Sequence, residues 1–348
     1  MANQASWIPA PTKQVSVGPA ETYTPGPNEL LVKINSVAFT PIEAKIQKFG
    51  THPIPYPNIL GTSYSGTVET VGEGVTGFAK GDHVAAIRSG KTLADPRFGG
   101  YQKFALAPLN STAKIPKSVP FNGSSSTIIN LAAITSALSI HLGLERPPLS
   151  GTASPKNKKV LIYGGSSSCG GLAVKYASTA GYEVITTSSS RNKDFVQSLG
   201  PATIIDHEQD PASVVADLKK YGPYDAVLDT IGLPGPTAIL VEYFESLGGG
   251  AYNTMIPPIP GTRAIPDNVK RIFAPYSFAF DEPEHKPLAQ WLYEEYLPKG
   301  LESGLIVPTR QHVVTGGLEK AQEVLDLMNE GGVSGKKLVL DPWETSAP

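Results

Sequence analysis

The stretch Val160-Leu161-Ile162-Tyr163-Gly164-Gly165-Ser166-Ser167-Ser168-Cys169-Gly170-Gly171 constrains this chain most. Four apolar residues without alternation predict a strand buried on both faces. The small residues after them predict a tight turn. Leu172 to Ala180 then carries apolar or small residues at helical spacing and stops at Gly181. Strand, small-residue turn and helix open a βαβ unit of the dinucleotide-binding kind, where backbone N–H groups and a helix N-terminus face a pyrophosphate. The match to G-x-G-x-x-G is imperfect. Two registers fit, and serines stand where glycine is usual. Serine hydroxyls add donors to a phosphate cradle, but the same run also suits an ordinary strand-to-helix loop. The turn alone leaves both readings open.

The rest of the chain weighs on that choice. Its 348 residues suffice for two domains with cores, and 40% of them are hydrophobic. A net charge of −2 offers no basic field for nucleic acid and no polybasic membrane surface. Met1 to Gln14 lacks the charged segment and apolar run of a secretory signal. No apolar run reads as long enough to span a bilayer. Cys169 is the sole cysteine, so no internal disulfide can form. The expectation is a cytoplasmic protein with neither nucleic acid nor membrane as partner.

Up to about Pro120 the chain reads as short strands and turns. Glu29 to Ala38 alternates apolar and polar residues, Thr40 to Gly50 reads as a charged loop, and glycine-punctuated strands follow across 59–72, 77–86 and 99–105. This predicts an all-β body of barrel type. Ser126 to Leu142 reads as a helix. Strands are then expected at 160–163, 183–187, 203–206, 225–230, 250–255 and, less clearly, 271–280. Helices are expected at 172–180, 192–199, 212–221 and 236–246. Such alternation predicts a doubly wound parallel sheet. After Lys286 the expected elements are helices at 288–297 and 318–328, an extended piece at 305–308 and a strand at 336–340. The fold class is thus α/β. Residues 1–125 and 286–348 form a β-barrel domain, and residues 126–285 form a doubly wound cofactor domain. A cleft between the two is the expected ligand site.

Local signatures stand in a telling order: Val37-Ala38-Phe39-Thr40-Pro41, Leu60-Gly61-Thr62-Ser63-Tyr64-Ser65-Gly66, Gly81-Asp82-His83-Val84, Gly99-Gly100-Tyr101, the 163–171 turn, Asp225-Ala226-Val227-Leu228-Asp229 and Ser334-Gly335-Lys336. In that order the chain resembles the medium-chain dehydrogenase/reductase superfamily over nearly its whole length. The resemblance implies a GroES-like catalytic domain and a Rossmann domain. Within the superfamily the chain looks most like the zinc-free quinone and enoyl reductases, in particular the stand-alone enoyl reductases that serve fungal polyketide synthases. Zinc is also argued against by residues. A cysteine–histidine site needs ligands this chain lacks, and Gly61-Thr62-Ser63 stands where alcohol dehydrogenases place Gly-His-Glu.

The second strand of the cofactor domain ends Thr186-Thr187-Ser188-Ser189-Ser190-Arg191-Asn192-Lys193. No acid is present to take ribose hydroxyls, whereas serines and Arg191 suit a 2′-phosphate, so NADPH is the expected cofactor. The plain alternative is a solvated helix start with serine caps. The resemblance places Ser166, Ser167, Ser168 and Cys169 at the pyrophosphate, and Ser189, Ser190, Arg191 and Asn192 at the ribose phosphate. It places His207 near the adenine, and Ile42, Glu43, Ala44, Lys45, Met255, Ile256, Val333 and Ser334 around the nicotinamide.

Reduction of an electron-poor alkene needs a donor for the developing enolate and a proton for the α-carbon. The candidates are Lys45, Thr135, Ser136 and Tyr64. Each has a structural alternative: a surface lysine, helix back-bonding for the two hydroxyls, a packed tyrosine. Mitochondrial-type relatives carry a tyrosine near residues 49–52, where this chain offers only His52. Phe273, Pro275, Tyr276, Phe278 and Phe280 form an aromatic run that borders the substrate channel in relatives, or else a buried strand. Prolines in Met255-Ile256-Pro257-Pro258-Ile259-Pro260-Gly261 are expected to blunt the sheet edge used by dimeric relatives, which points to a monomer. The implied activity is NADPH-dependent, zinc-independent enoyl reduction. The substrate is an acyl thioester or related small molecule, with a polyketide synthase carrier domain as the implied partner. The alternatives are a quinone or ketone reductase of the same fold and a non-catalytic NADPH-binding protein.

Overall fold

In the computed structural model, which describes residues 2–344, the chain divides into two compact units. One comprises Met1–Ile129, Phe278–Glu302 and Pro308–Pro348; the other comprises Asn130–Ser277 and Ser303–Val307.

The first unit is a β-barrel body. Its main sheet orders the strands Gln311–Val313, Lys337–Leu340, Glu29–Ala38, Ser63–Val71, His83–Ile87 and Thr112–Lys114, with Phe104–Pro108 also pairing with Glu29–Ala38. Alternation in Glu29–Ala38 buries Leu30, Val32 and Ile34 in the core beside Val68, Val84, Ala105 and Leu338. A second sheet, unforeseen from the sequence, joins Ser16–Ala20, Asn3–Ile8 and Asn58–Ile59.

Two expectations are corrected. Thr40 to Gly50 is not a loop but the helix Pro41–Phe49. Pro41 opens it, the Glu43 carboxylate reaches back 2.7 Å to the Thr40 N–H, and Gly50 closes it in the left-handed region. After the irregular piece at 305–308 a short strand, not foreseen, lies at Gln311–Val313, parallel to Lys337–Leu340. A helical run does reach membrane length by size and composition, Phe121–His141, but it is buried along most of its length.

The second unit is a six-stranded, all-parallel sheet. Its order is Thr203–Asp206, Glu183–Ser188, Lys159–Tyr163, Ala226–Asp229, Gly250–Thr254 and Val269–Phe273. The helices Ser168–Thr179, Pro211–Tyr221 and Pro234–Ser246 link these strands. Unbroken apolar runs such as Val160-Leu161-Ile162 are buried on both faces, as a parallel sheet requires. The chain winds outward both ways from Lys159–Tyr163. The switch point between that strand and Ala226–Asp229 is therefore where a ligand is held in such sheets.

The last strand ends at Phe273 rather than 280, and Tyr276–Asp281 is a 3-10 helix. Val269–Phe273 is the sheet edge, and it contains no proline. The proline run falls in the loop between Gly250–Thr254 and that edge strand, so it cannot blunt the edge.

Candidate functional site

Lys159–Tyr163 ends at Gly164, whose φ is 92°. A Cβ there would stand 2.5 Å from Ile231 Cγ1 and 2.9 Å from Thr230 Oγ1, so only glycine lets the turn press against its neighbour. The Gly164 N–H donates to Thr187 Oγ1 at 2.8 Å and the Gly165 N–H to the Thr187 carbonyl at 2.9 Å. Ser167 is the N-cap of Ser168–Thr179, and its Oγ accepts from the Gly170 N–H at 2.9 Å. A Cβ on Gly170 would collide with the Gly164 carbonyl. These close approaches decide between the two registers. The turn is Gly165-x-Ser167-x-x-Gly170, with serine in the place of the middle glycine. Ser166 is nearly buried, while Ser167, Ser168 and Cys169 stay half-exposed at the opening of a twelve-residue helix. Such a cradle fits a pyrophosphate.

Glu183–Ser188 ends beside a short 3-10 turn, Ser190–Asn192. Ser188 and Ser189 are buried, and Asn192 Nδ2 donates to Ser189 Oγ at 3.1 Å. Arg191 and Lys193 are exposed. The corner does hold an acid, contrary to the reading of the strand end by itself. Glu208, at the end of the neighbouring strand, comes within 3.3 Å of both Ser190 N and Ser190 Oγ. Strand pairing brought together what lies eighteen positions apart. His207 is half-exposed, and its N–H donates to the Ser188 carbonyl at 3.3 Å.

Sequence reasoning missed the turn Thr230-Ile231-Gly232. Thr230 Oγ1 lies 2.9 Å from Ser167 Oγ and donates to the Tyr163 carbonyl at 2.8 Å. On its other side, a Cβ on Gly232 would run into Ile256 and approach Thr254 Oγ1 at 3.0 Å. This turn thus joins the phosphate turn to the half-exposed Met255 and Ile256. The readable signal was Asp229 followed by Thr230, Ile231 and Gly232, an acid at a strand end before a tight turn.

In the barrel unit, Lys45 sits half-buried on the helix Pro41–Phe49. Burial holds its ammonium below the ordinary lysine range. Burial, and then the Lys45 charge, lower the His52 imidazole. Ile42 and Ala44 pack into the barrel core. Two candidates are corrected. Glu43 was expected beside the nicotinamide, but it is fully buried with both oxygens engaged. It accepts from Thr62 N and Thr62 Oγ1 at 2.5 and 2.7 Å, and from Thr40 N and the Tyr101 hydroxyl at 2.7 Å each. Tyr64 is a core residue. It is fully buried, its hydroxyl donates to the Leu106 carbonyl at 2.6 Å, and burial raises its pKa, so it is no proton donor. Val333 packs against the barrel core, and Ser334 is exposed. Among the described residues no three histidine, cysteine, aspartate or glutamate side chains gather as metal ligands do.

Thr135 ends the helix Phe121–Thr135, and Ser136 begins a π-helical turn, Ser136–His141. Such turns are uncommon and recur at functional sites. Both residues are fully buried; the Thr135 hydroxyl faces that of Tyr176, while Ser136 Oγ has no hydrogen bond of good distance and angle. The aromatic run divides. Phe273 is 43% exposed, and its ring meets Tyr276 edge-on at 6.3 Å; Tyr276 in turn meets His141 at 5.0 Å and accepts from Asn253 Nδ2 at 3.0 Å. Pro275 is exposed beside them. Phe278 belongs to the other unit and lies against Gly90, while Phe280 is buried against Tyr293.

Comparison with known proteins agrees with this fold. Residues 26–117 match the alcohol dehydrogenase GroES-like domain. The trans-enoyl reductase himH of Aspergillus japonicus is 31% identical over 347 residues, covering 97% of each chain. A quinone oxidoreductase from Pseudomonas syringae pv. Tomato superposes with a TM-score of 0.74 at 21% identity, covering 98% of this chain and 100% of that one. A mycobacterial protein solved with NADPH superposes with a TM-score of 0.72 at 20% identity, with the same coverage. On these grounds the chain belongs to the medium-chain dehydrogenase/reductase superfamily of oxidoreductases, alongside the fungal trans-enoyl reductases.

Proposed function

We propose that this protein is an NADPH-dependent reductase of activated C=C bonds that works in trans on an α,β-unsaturated acyl thioester, delivered by a polyketide synthase carrier domain. The observation that carries the reading is the end-to-end likeness to a trans-enoyl reductase, 31% identical over 97% of the chain. The phosphate turn and the serine–arginine corner support the cofactor.

When bound, the reduced nicotinamide supplies a hydride to the β-carbon of the alkene. Residues of this chain do the rest. The N–H groups around Ser167 and the start of its helix hold the pyrophosphate, and Ser189 and Arg191 hold the 2′-phosphate. The Thr135 and Ser136 hydroxyls, at the start of the π-helical turn, donate to the thioester oxygen as negative charge develops there. Lys45 gives the α-carbon its proton. Burial favours its neutral form, so the ammonium parts with a proton more readily than a solvated lysine does.

The test is NADPH consumption by purified protein with a short enoyl thioester, and with a quinone and an aldehyde in parallel. Saturable turnover of the thioester is expected. Turnover confined to the quinone or aldehyde would make the protein a quinone or ketone reductase. Tight NADPH binding without turnover of any of the three would leave a nucleotide-binding protein.

A further inference from the structure

We propose that Asp229 and Arg271 are positioning residues of the nucleotide site, holding the Thr230–Gly232 turn from two strands at once. The inference rests on the reading that Ser167 and Ile256 meet NADPH.

Asp229 ends its strand fully buried, and its Oδ1 accepts from both the Ile231 and Gly232 N–H groups at 2.9 Å. Arg271, on the edge strand, donates through Nη2 to the Gly232 carbonyl at 3.2 Å and toward Thr254 Oγ1 at 3.5 Å. An acid therefore holds the donors of the turn while a base holds its acceptor. The turn has no slack. Gly232 sits at φ 65° with Ile256 against it, and Thr230 Oγ1 touches the Ser167 hydroxyl. Movement of the turn would displace the phosphate cap and the Ile256 side together.

The surroundings are costly for structure alone. Behind the turn the Tyr252 hydroxyl faces Thr237 and Arg271, and the Asp229 carboxylate also faces Thr254, all within the buried interior. Tyr252 and Arg271 are paired positions on adjacent strands. Burial raises the Asp229 carboxyl, and the Gly232 and Ile231 N–H groups, then the Arg271 charge, oppose that rise. Apolar residues at these positions would fill the space more cheaply.

The experiment compares the affinities for NADPH and for adenosine 2′-phosphate, measured by calorimetry on the full chain. Adenosine 2′-phosphate reaches the Ser189–Arg191 corner but carries no pyrophosphate. Arg271→Met should weaken NADPH about tenfold, the worth of one hydrogen bond from a charged group, and leave adenosine 2′-phosphate within about twofold. Arg271→Lys should recover part of the loss. Thr230→Val, which removes the bridge to Ser167, should show the same split, and Arg271→Lys, which keeps the charge but not the fork, decides the matter if Arg271→Met does not fold. Unchanged NADPH affinity in these variants would overturn the inference. So would equal weakening of both ligands with a fall in Tm, the mark of a merely structural pair. Wild-type protein that binds neither ligand would overturn the nucleotide reading itself, and the inference with it.

Discussion

Lys45 owes its candidacy to what surrounds it rather than to its identity. It is half-buried, and burial lowers its pKa. If its ammonium is the acid, Lys45→Ala should cut kcat by about 10²–10⁴-fold while NADPH affinity stays within about twofold, and Lys45→Arg should not rescue turnover, because a guanidinium keeps its proton. The sign of the pH effect follows. A depressed pKa means that the protonated form is lost earlier as pH rises. The alkaline limb of kcat should therefore fall below the ordinary lysine value of 10.5, and Lys45→Ala should abolish that limb. At the adenosine end, Arg191 and Glu208 pull in opposite directions. Arg191→Ala should lower the preference for NADPH over NADH, and Glu208→Gln should raise it, read as the ratio of the two kcat/KM values. Equal ratios for wild type and both variants would remove this corner from cofactor choice.

At the scale of elements, the turn before Ser168–Thr179 does two jobs with one side chain. Ser167 Oγ caps the helix and faces Thr230 Oγ1. Ser167→Ala should cost about 1 kcal/mol of stability by denaturant titration, as lost N-caps do, and should weaken NADPH more than adenosine 2′-phosphate. The parallel strands were legible because their burial on both faces leaves long apolar runs. The helix Pro41–Phe49 was legible too, in Thr40-Pro41 followed by Glu43, but its charged composition read as a loop. What hid it is that Glu43 turns inward. A carboxylate that collects donors from Thr40, Thr62 and Tyr101 belongs to the barrel interior, and nothing local announces that. The π-helical turn at Ser136–His141 was equally silent, since its residues suit an α-helix as well.

At the scale of the molecule, the oligomeric state is a question about one edge strand. Val269–Phe273 exposes Ile272 and Phe273, yet it is only five residues long and carries the exposed Lys270. Short length and an exposed lysine are what keep such edges apart. Solution scattering should return the mass of one chain, and a doubled mass would show that they do not suffice. The sequence by itself determined the class of fold, the position of the glycine–serine turn after Lys159–Tyr163 and the hydroxyl-and-arginine character of the second strand end, because periodicity and turn chemistry are local properties of the chain. Tertiary structure alone decided that Glu43 and Tyr64 are core residues, that Glu208 reaches Ser190, and that Asp229 and Arg271 grip one turn. Each of these depends on which strands lie side by side, and pairing across a sheet is set by burial of the whole rather than by neighbours in the chain.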